Sequence, residues 1–545
     1  MFMKKNGIKI SIIAIIISIF AFVLNIFPTK VNASETEPEL TDSGDCGSSA
    51  TWEYYSEIGL LSIKGSGVLT TYSYGQSPWY SYSSSITKLE VSNDITQISN
   101  GAFNGCSKLK EISLPFVGAS RSATGFEATF GYIFGYNTYN AYKNSSTGSG
   151  TYRYVYYGDG NNSYGYAYYY SSSSPYDRFT VDASSTLGYL YNNGYSYNYG
   201  TTSSAAFLDY KTLGTSDNTY TNPSNLTWQY SCRNYRNDSS DRYYLQSYYY
   251  YIPSTLTKVS ITNASKIETA AFMNCSNIKE IILNDGITSI GDYAFRNCTK
   301  LECFDLPNNL TNLGNYSMKN CDGLVDITIP TNVTTIKKET FYNCDKLETI
   351  NFNDSITNIS EYAFYNCDKL IDLVLPDSLK TIGQYAFYDC DSITFITIPE
   401  LVSSISQYAF FSCDKLETIE FGNSMKTINT YAFANCISIK ELNIGNTITT
   451  ISDYSFTGCY NIISLNIGNS VSSIGVEAFK GMTKIEKIII PNNVTSIGKG
   501  AFNGCSKLKE ISLASSSANS SPQRCIPPPP LVWKRQRNFP WSAEA

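Results

Sequence analysis

The sequence predicts a solenoid: a stack of short β-containing turns, capped at the N-terminus and interrupted near its start by a tyrosine-rich insert. Three observations lead there. Cys275, Cys298, Cys321, Cys344, Cys367, Cys390, Cys413, Cys436 and Cys459 stand 23 residues apart, and Met482 and Cys505 continue the series. Every interval repeats one apolar pattern. Between Pro115 and Leu256 that pattern is lost and tyrosine takes over. A fixed period means that each repeat is one supersecondary unit, which buries its apolar side only by stacking on its neighbours.

The N-terminus reads as an export signal over residues 1–33. Lys4 and Lys5 supply the positive start, Ile8 to Phe27 form an almost unbroken apolar run, and Val31-Asn32-Ala33 offers a small-residue cleavage site. The run is long for a signal, so an uncleaved anchor is the competing reading. Either places the body of the chain outside the cytoplasm, on the cell surface or secreted. Contact with a membrane is expected only through this segment, if it stays uncleaved.

Residues 34–82 are read as a β cap over the first turn, and residues 83–115 as the first turns. The unit starting at Ser83 has Ile86, Leu89, Val91, Ile95, Ile98, Ala102 and Phe103 at the repeat positions, and the next, from Cys106, has Leu109, Ile112 and Leu114. Residues 253–513 carry the main array. In the unit from Cys344, Leu347, Ile350 and Phe352 have the spacing of a leucine-rich-repeat strand, two side chains inward with a polar residue between them. Ile356, Ile359, Ala363 and Phe364 complete the turn. The small alanine lets the ring enter the core at a tight return. Pro330, Pro376, Pro399 and Pro491 stop the strands they follow. Parallel strands stack about 4.8 Å apart, so ten units extend on the order of 50 Å, with the parallel sheet expected on the concave face of a shallow arc.

The cysteine column is read as packing rather than as disulfides or a metal framework. Stacked turns project equivalent side chains in parallel, which suits bridging poorly. Ser83 and Met482 fill the same position, and no C-x-x-C pair exists. Cys303 is different: it is predicted to face outward from a strand as a free thiol.

The unit's ending, as in Ala363-Phe364-Tyr365-Asn366-Cys367, resembles that of the BspA-like leucine-rich-repeat family of surface proteins. So does the N-terminal stretch: Asp45-Cys46-Gly47, Thr51-Trp52, Leu61-Ser62-Ile63, Gly65-Ser66-Gly67 and Ser77-Pro78-Trp79. The resemblance implies a leucine-rich-repeat solenoid of β-rich α/β class, with an N-terminal segment covering the open sheet edge. It also implies a surface-exposed or secreted protein used in adhesion and recognition, and it names no ligand.

Residues 116–252 are read as the insert. They hold 29 of the 46 tyrosines, so tyrosine use is regional. Three readings stay open: a low-complexity loop, a β-rich subdomain suited to alternations such as Tyr195-Ser196-Tyr197, and a recognition surface of paratope-like composition. Tyr168, Tyr169, Tyr197 and Tyr249 are the candidate contacts there, for an extracellular protein or a glycan. Residues 514–545 form an atypical tail rich in proline and basic residues, expected to be disordered. Gly101–Leu114 and Gly500–Leu513 are identical 14-residue segments, which suggests repeat recombination. The tail is then readable as a truncated or frame-shifted end that leaves the last sheet edge open.

The 545-residue chain has a formal charge of −6 and no histidine. The acidic balance argues against nucleic acid. Without histidine, Ser-His-Asp and Cys-His catalysis and His-ligated metals are excluded. Paired carboxylates remain the only enzymatic option. Glu127, Asp159, Asp177, Asp182 and Asp209 offer carboxyl groups in the insert with no spacing that pairs them, and Gly158 to Asn162 lacks the ligand pattern of a calcium loop. The reading is therefore a non-enzyme with no cofactor or metal. Outward strand positions supply the other binding candidates, Ile371, Val374 and Phe395, expected to cluster on adjacent strands. A carbohydrate-active or glycan-binding module in the insert, and a structural surface-layer component, are the alternative functions.

Overall fold

The computed structural model describes residues 37–72, 75–140, 150–158, 163–171, 226–237, 242–371 and 373–514. The signal segment, most of the tail and Tyr197 therefore lie outside the described residues. From Leu40 onward the described chain is one β-solenoid of about 13 turns. Among the described residues the only helices are three short 3₁₀ segments, Tyr80–Ser85, Gly125–Ala128 and Phe130–Phe134.

Most of the described turns carry two strands. The first, such as Asp326–Thr328, pairs in parallel with Thr349–Asn351 one turn on, exactly in step with the sequence period: Ile327 opposes Ile350. The second, such as Thr335–Ile336, pairs with Asn358–Ile359 and belongs to an eight-stranded parallel ladder that ends at Ser496–Ile497. The inward residue of each strand is buried, as at Ile327, Ile336, Ile350 and Ile359. Burying each such side chain is worth about 1.5–3 kcal/mol. The sum over turns, rather than any one turn, supplies the stability.

The return from second strand to next cysteine is a tight non-helical path with two left-handed residues per turn. In the turn before Cys367 these are Tyr362 (φ 57°) and Asn366 (φ 58°), and in the first and last repeats Gly101 and Gly500 stand at the tyrosine position. Asparagine tolerates that conformation, whereas tyrosine is strained there. Stacking offsets the strain. The rings of Tyr362, Tyr385, Tyr408, Tyr431 and Tyr454 lie 4.6–4.8 Å apart from turn to turn. Inside the return, Phe341, Phe364, Phe387, Phe410 and Phe433 form a second, buried stack with centroids 5.1–5.2 Å apart. The residue before each ring accepts a hydrogen bond from the backbone N–H of the preceding turn, as Ala386 does from Phe364 (2.8 Å). Alanine is the usual residue there, and Thr340 and Ser455 accept the same bond, from Met318 (3.0 Å) and Phe433 (2.9 Å).

The N-terminal strands Asp42–Asp45, Gly47–Tyr55 and Leu60–Leu69 form an antiparallel sheet. The last of them pairs in parallel with Lys88–Val91, so the first turn of the solenoid is covered. Trp79 heads the aromatic core. It is fully buried, stacks on Phe103 at 5.7 Å and donates from Nε1 to the Ala102 oxygen at 3.1 Å.

The point of interruption is a correction to the sequence reading. The apolar spacing fails after Pro115, but the solenoid path does not. Phe116, Phe130, Ile133 and Phe134 are buried in the main core. Phe103 N–H donates to the Ile133 oxygen, Phe130 N–H donates to the Ala271 oxygen, and Phe130 packs against Phe272 with centroids 5.1 Å apart. Phe130 thus takes the place of a repeat phenylalanine, reached by an irregular path that a 23-residue ruler misses. The insert departs after Gly135. Its backbone forms antiparallel strands: Tyr136–Asn140 on Arg242–Pro253, the latter on Leu226–Asn237, and a separate hairpin of Gly150–Gly158 with Ser163–Ser171. Across it the ladder is unbroken, because Glu111–Leu114 pairs directly with Lys258–Ile261. At the far end Glu510–Leu513 is the last described strand, and its Leu513 is 66% exposed.

Candidate functional site

The cysteine column lies wholly inside. Cys298 to Cys459 are fully buried, and no disulfide occurs among the described cysteines. Each thiol also has a polar role that the sequence did not suggest. Sγ donates to a carbonyl one turn back, usually that of the repeat phenylalanine, as Cys367 does to Phe341 (3.1 Å) and Cys390 to Phe364 (3.0 Å), and for Cys344 that of Met318 (3.3 Å). Burial raises these thiols above the ordinary cysteine range, so they stay protonated and unreactive. Cys303 is exposed. Among the described residues no group of His, Cys, Asp and Glu is placed to hold a metal ion.

The first-strand ladder is where side chains leave the core in register. Each strand points one residue outward between two inward ones, and parallel pairing lines equivalent residues up from turn to turn. Most outward positions are polar: Thr328, Asn351, Thr397, Glu420, Asn443 and Asn466. The exceptions are exposed apolar residues. Val374 is 75% exposed although its neighbours Leu373 and Leu375 are buried, and Ile371 and Phe395 are 42% and 44% exposed. Phe395 begins the strand Phe395–Thr397, paired to Thr418–Glu420. The turn bearing Ile371 and Val374 is tied to the preceding turn by the Ile371 N–H, which donates to the Glu348 oxygen (3.1 Å). From Asp326 onward the described first strands pair two by two, whereas the second-strand ladder runs through eight strands.

The tyrosine candidates fall on the insert. Tyr168 and Tyr169 lie on Ser163–Ser171, opposite Arg153 and Tyr152, and Tyr249 lies on Arg242–Pro253, opposite Tyr230.

A further apolar group lies on the same face; the repeat places its Ile489 outward, and its Ile463 went unnoticed in the sequence. Ile463 and Ile489 are 56% and 49% exposed near the C-terminal end of the first-strand ladder. The signal was present: Ile463 occupies the same repeat position as Ile371.

Stacked parallel turns with polar and apolar side chains displayed in columns define a leucine-rich-repeat scaffold, a class whose members are typically non-enzymatic. The BspA type leucine rich repeat region model matches in six copies, over residues 75–129, 244–371, 318–440, 357–483 and 426–525, and the chain belongs to that family. Among solved structures the chain is similar to a leucine rich cell surface protein from Faecalibacterium prausnitzii A2-165 (28% identity, 48% of this chain and 80% of that one, TM-score 0.33). It is also similar to leucine-rich repeat proteins from Bacteroides ovatus (24%, 47% and 78%, TM-score 0.39) and Eubacterium ventriosum (16%, 88% and 97%, TM-score 0.34). No curated protein matches it.

Proposed function

We propose that the chain is a recognition protein displayed outside the cell, which binds a protein ligand through the first-strand face around Ile371, Val374 and Phe395. The observation that carries this is Val374, three-quarters exposed between two buried leucines. A large apolar side chain held in water by its neighbours' packing is a ready contact. The family supports a protein-binding role, and the apolar segment of residues 8–27 supports export. Adhesion is the use that fits both.

The test is a binding screen of residues 34–545 against extracellular matrix proteins and glycans. A second form has residues 136–251 replaced by a short flexible linker, so that Phe116 to Phe134 keep their place in the core. Binding to a matrix protein that survives this replacement and is lost in Val374→Asp with Phe395→Asp is the expected result. Binding lost with the insert would move recognition to the tyrosine-rich strands. Release of sugar from a glycan would make the chain an enzyme and overturn the reading. Surface proteolysis of intact cells tests display.

A further inference from the structure

A shallow depression of about 630 Å³ lies on the first-strand face near the C-terminal end of the array. Ile463 and Ile489 form its apolar part, Leu465 lies beneath, and Lys484, Lys487 and Lys507 rim it together with Glu486. Two of the charged groups are already neutralised: Glu486 accepts from Lys509 at 2.9 Å, and Lys487 pairs with Glu510 at 3.0 Å. Lys484 and Lys507 make no ion pair among the described residues, although the Lys507 charge, after that of Lys509, helps to hold the Glu486 carboxyl below its usual range.

Lys484 and Lys507 are equivalent residues of successive turns, so their backbones sit about one ladder spacing apart, roughly 4.8 Å. The same column holds another such pair, since Lys346 and Lys369 also stand exposed on successive turns. Like charges placed side by side across a ladder repel. Several other exposed lysines are paired: Lys279 meets Glu302, Lys258 meets Glu280, and Lys300, in the same column, donates to Asn277. Here two ammonium groups are stacked beside two exposed isoleucines in a chain of formal charge −6.

We infer that this depression is a docking site for an acidic, apolar segment of a partner protein, with a carboxylate between Lys484 and Lys507 and an aliphatic or aromatic side chain on Ile463 and Ile489. Charge complementarity selects the carboxylate, and the isoleucines select a peptide over a sulfated sugar, whose polar surface gains nothing from them. The chain's own last residues do not supply the complement, since Arg524, Lys534, Arg535 and Arg537 outweigh Glu544. The site is separate from the group around Val374 and stands or falls independently of it.

The probe is a fluorescent dodecapeptide alternating glutamate and leucine, with its glutamine analogue and heparin as comparisons, titrated into residues 34–545 by anisotropy. Expected are binding of the glutamate peptide, at least tenfold weakening by Lys484→Gln with Lys507→Gln and by Ile463→Ser with Ile489→Ser, and no change in Val374→Asp with Phe395→Asp. All four substituted side chains of the site are exposed, and an unchanged circular dichroism melt confirms folding. No binding of the glutamate peptide, equal binding of the glutamine analogue, unchanged affinity in the lysine variant, or a preference for heparin that survives Ile463→Ser with Ile489→Ser overturns the inference.

Discussion

The Sγ of Cys413 lies 3.2 Å from the main-chain oxygen of Phe387, one turn back, and donates a hydrogen bond to it. The same bond recurs along the column, from Cys298 on Phe272 to Cys459 on Phe433. A fully buried thiol here fills space and satisfies a carbonyl at once. Replacing Cys413 by alanine removes both functions and should cost about 1–2 kcal/mol. Valine comes closer to the volume of cysteine without the donor, so Cys413→Val beside Cys413→Ala should separate packing from hydrogen bonding. Urea denaturation of the three proteins measures the difference.

Thiol chemistry should divide the cysteines sharply. Burial pushes Cys106 and Cys459 to about 12, and Cys505, less buried, to about 11. Cys303 is exposed. Iodoacetamide at pH 8 is expected to label Cys303 within minutes and to leave Cys298 through Cys459 unmodified until denaturant is added. Mass spectrometry of tryptic peptides reads each site. Labelling of the column at the rate of Cys303 would contradict its burial.

Asp389 occupies the left-handed position that Asn343 and Asn366 hold in other turns. Burial, and then the charges of Asp391, Asp368 and Asp414, raise its carboxyl to about 6. The folded state therefore holds a proton that the unfolded state, near 3.8, has lost. That proton stabilises the fold fully below pH 3.8, and the contribution disappears as pH rises to about 6. Asp389→Asn should raise the melting temperature more at pH 7 than at pH 4, as thermal melts across that range would show.

Lys319 and Glu339 form a buried ion pair at 2.7 Å, with side chains 6% and 12% exposed. They interrupt two aromatic columns: Lys319 stands one turn before Tyr342, over whose ring its ammonium lies at 3.9 Å, and Glu339 stands between Tyr316 and Tyr362. Glu339→Gln leaves the ammonium uncompensated and should cost about 3 kcal/mol. Replacing both residues by tyrosine continues both columns and should recover most of that loss. Denaturant midpoints of the two variants test it.

The residue pattern made the repeating part of the fold legible because one period serves every turn. Ile350 and Ile359 point inward for the same reason as Ile327 and Ile336, so a single unit read correctly gives all. Val374 and Phe395 were readable as outward residues on the same ground. Phe130 was not, because its place in the aromatic core is reached through a path with no repeat spacing, and only its contact with Phe272 reveals it. Ile463 carried a readable signal. Its significance came from the depression it shares with Ile489, Lys484 and Lys507, which only the stacking of turns brings together.

By itself, then, the sequence determined the solenoid, its period, the inward columns and the place where tyrosine accumulates. Those follow from alternation and spacing, which are local. The tertiary structure decided where the insert leaves the core, what the cysteines bond to, how strained tyrosines are held by stacking, and which charges pair across turns. Each of these depends on contacts between residues a full turn or more apart, and backbone periodicity alone does not specify them.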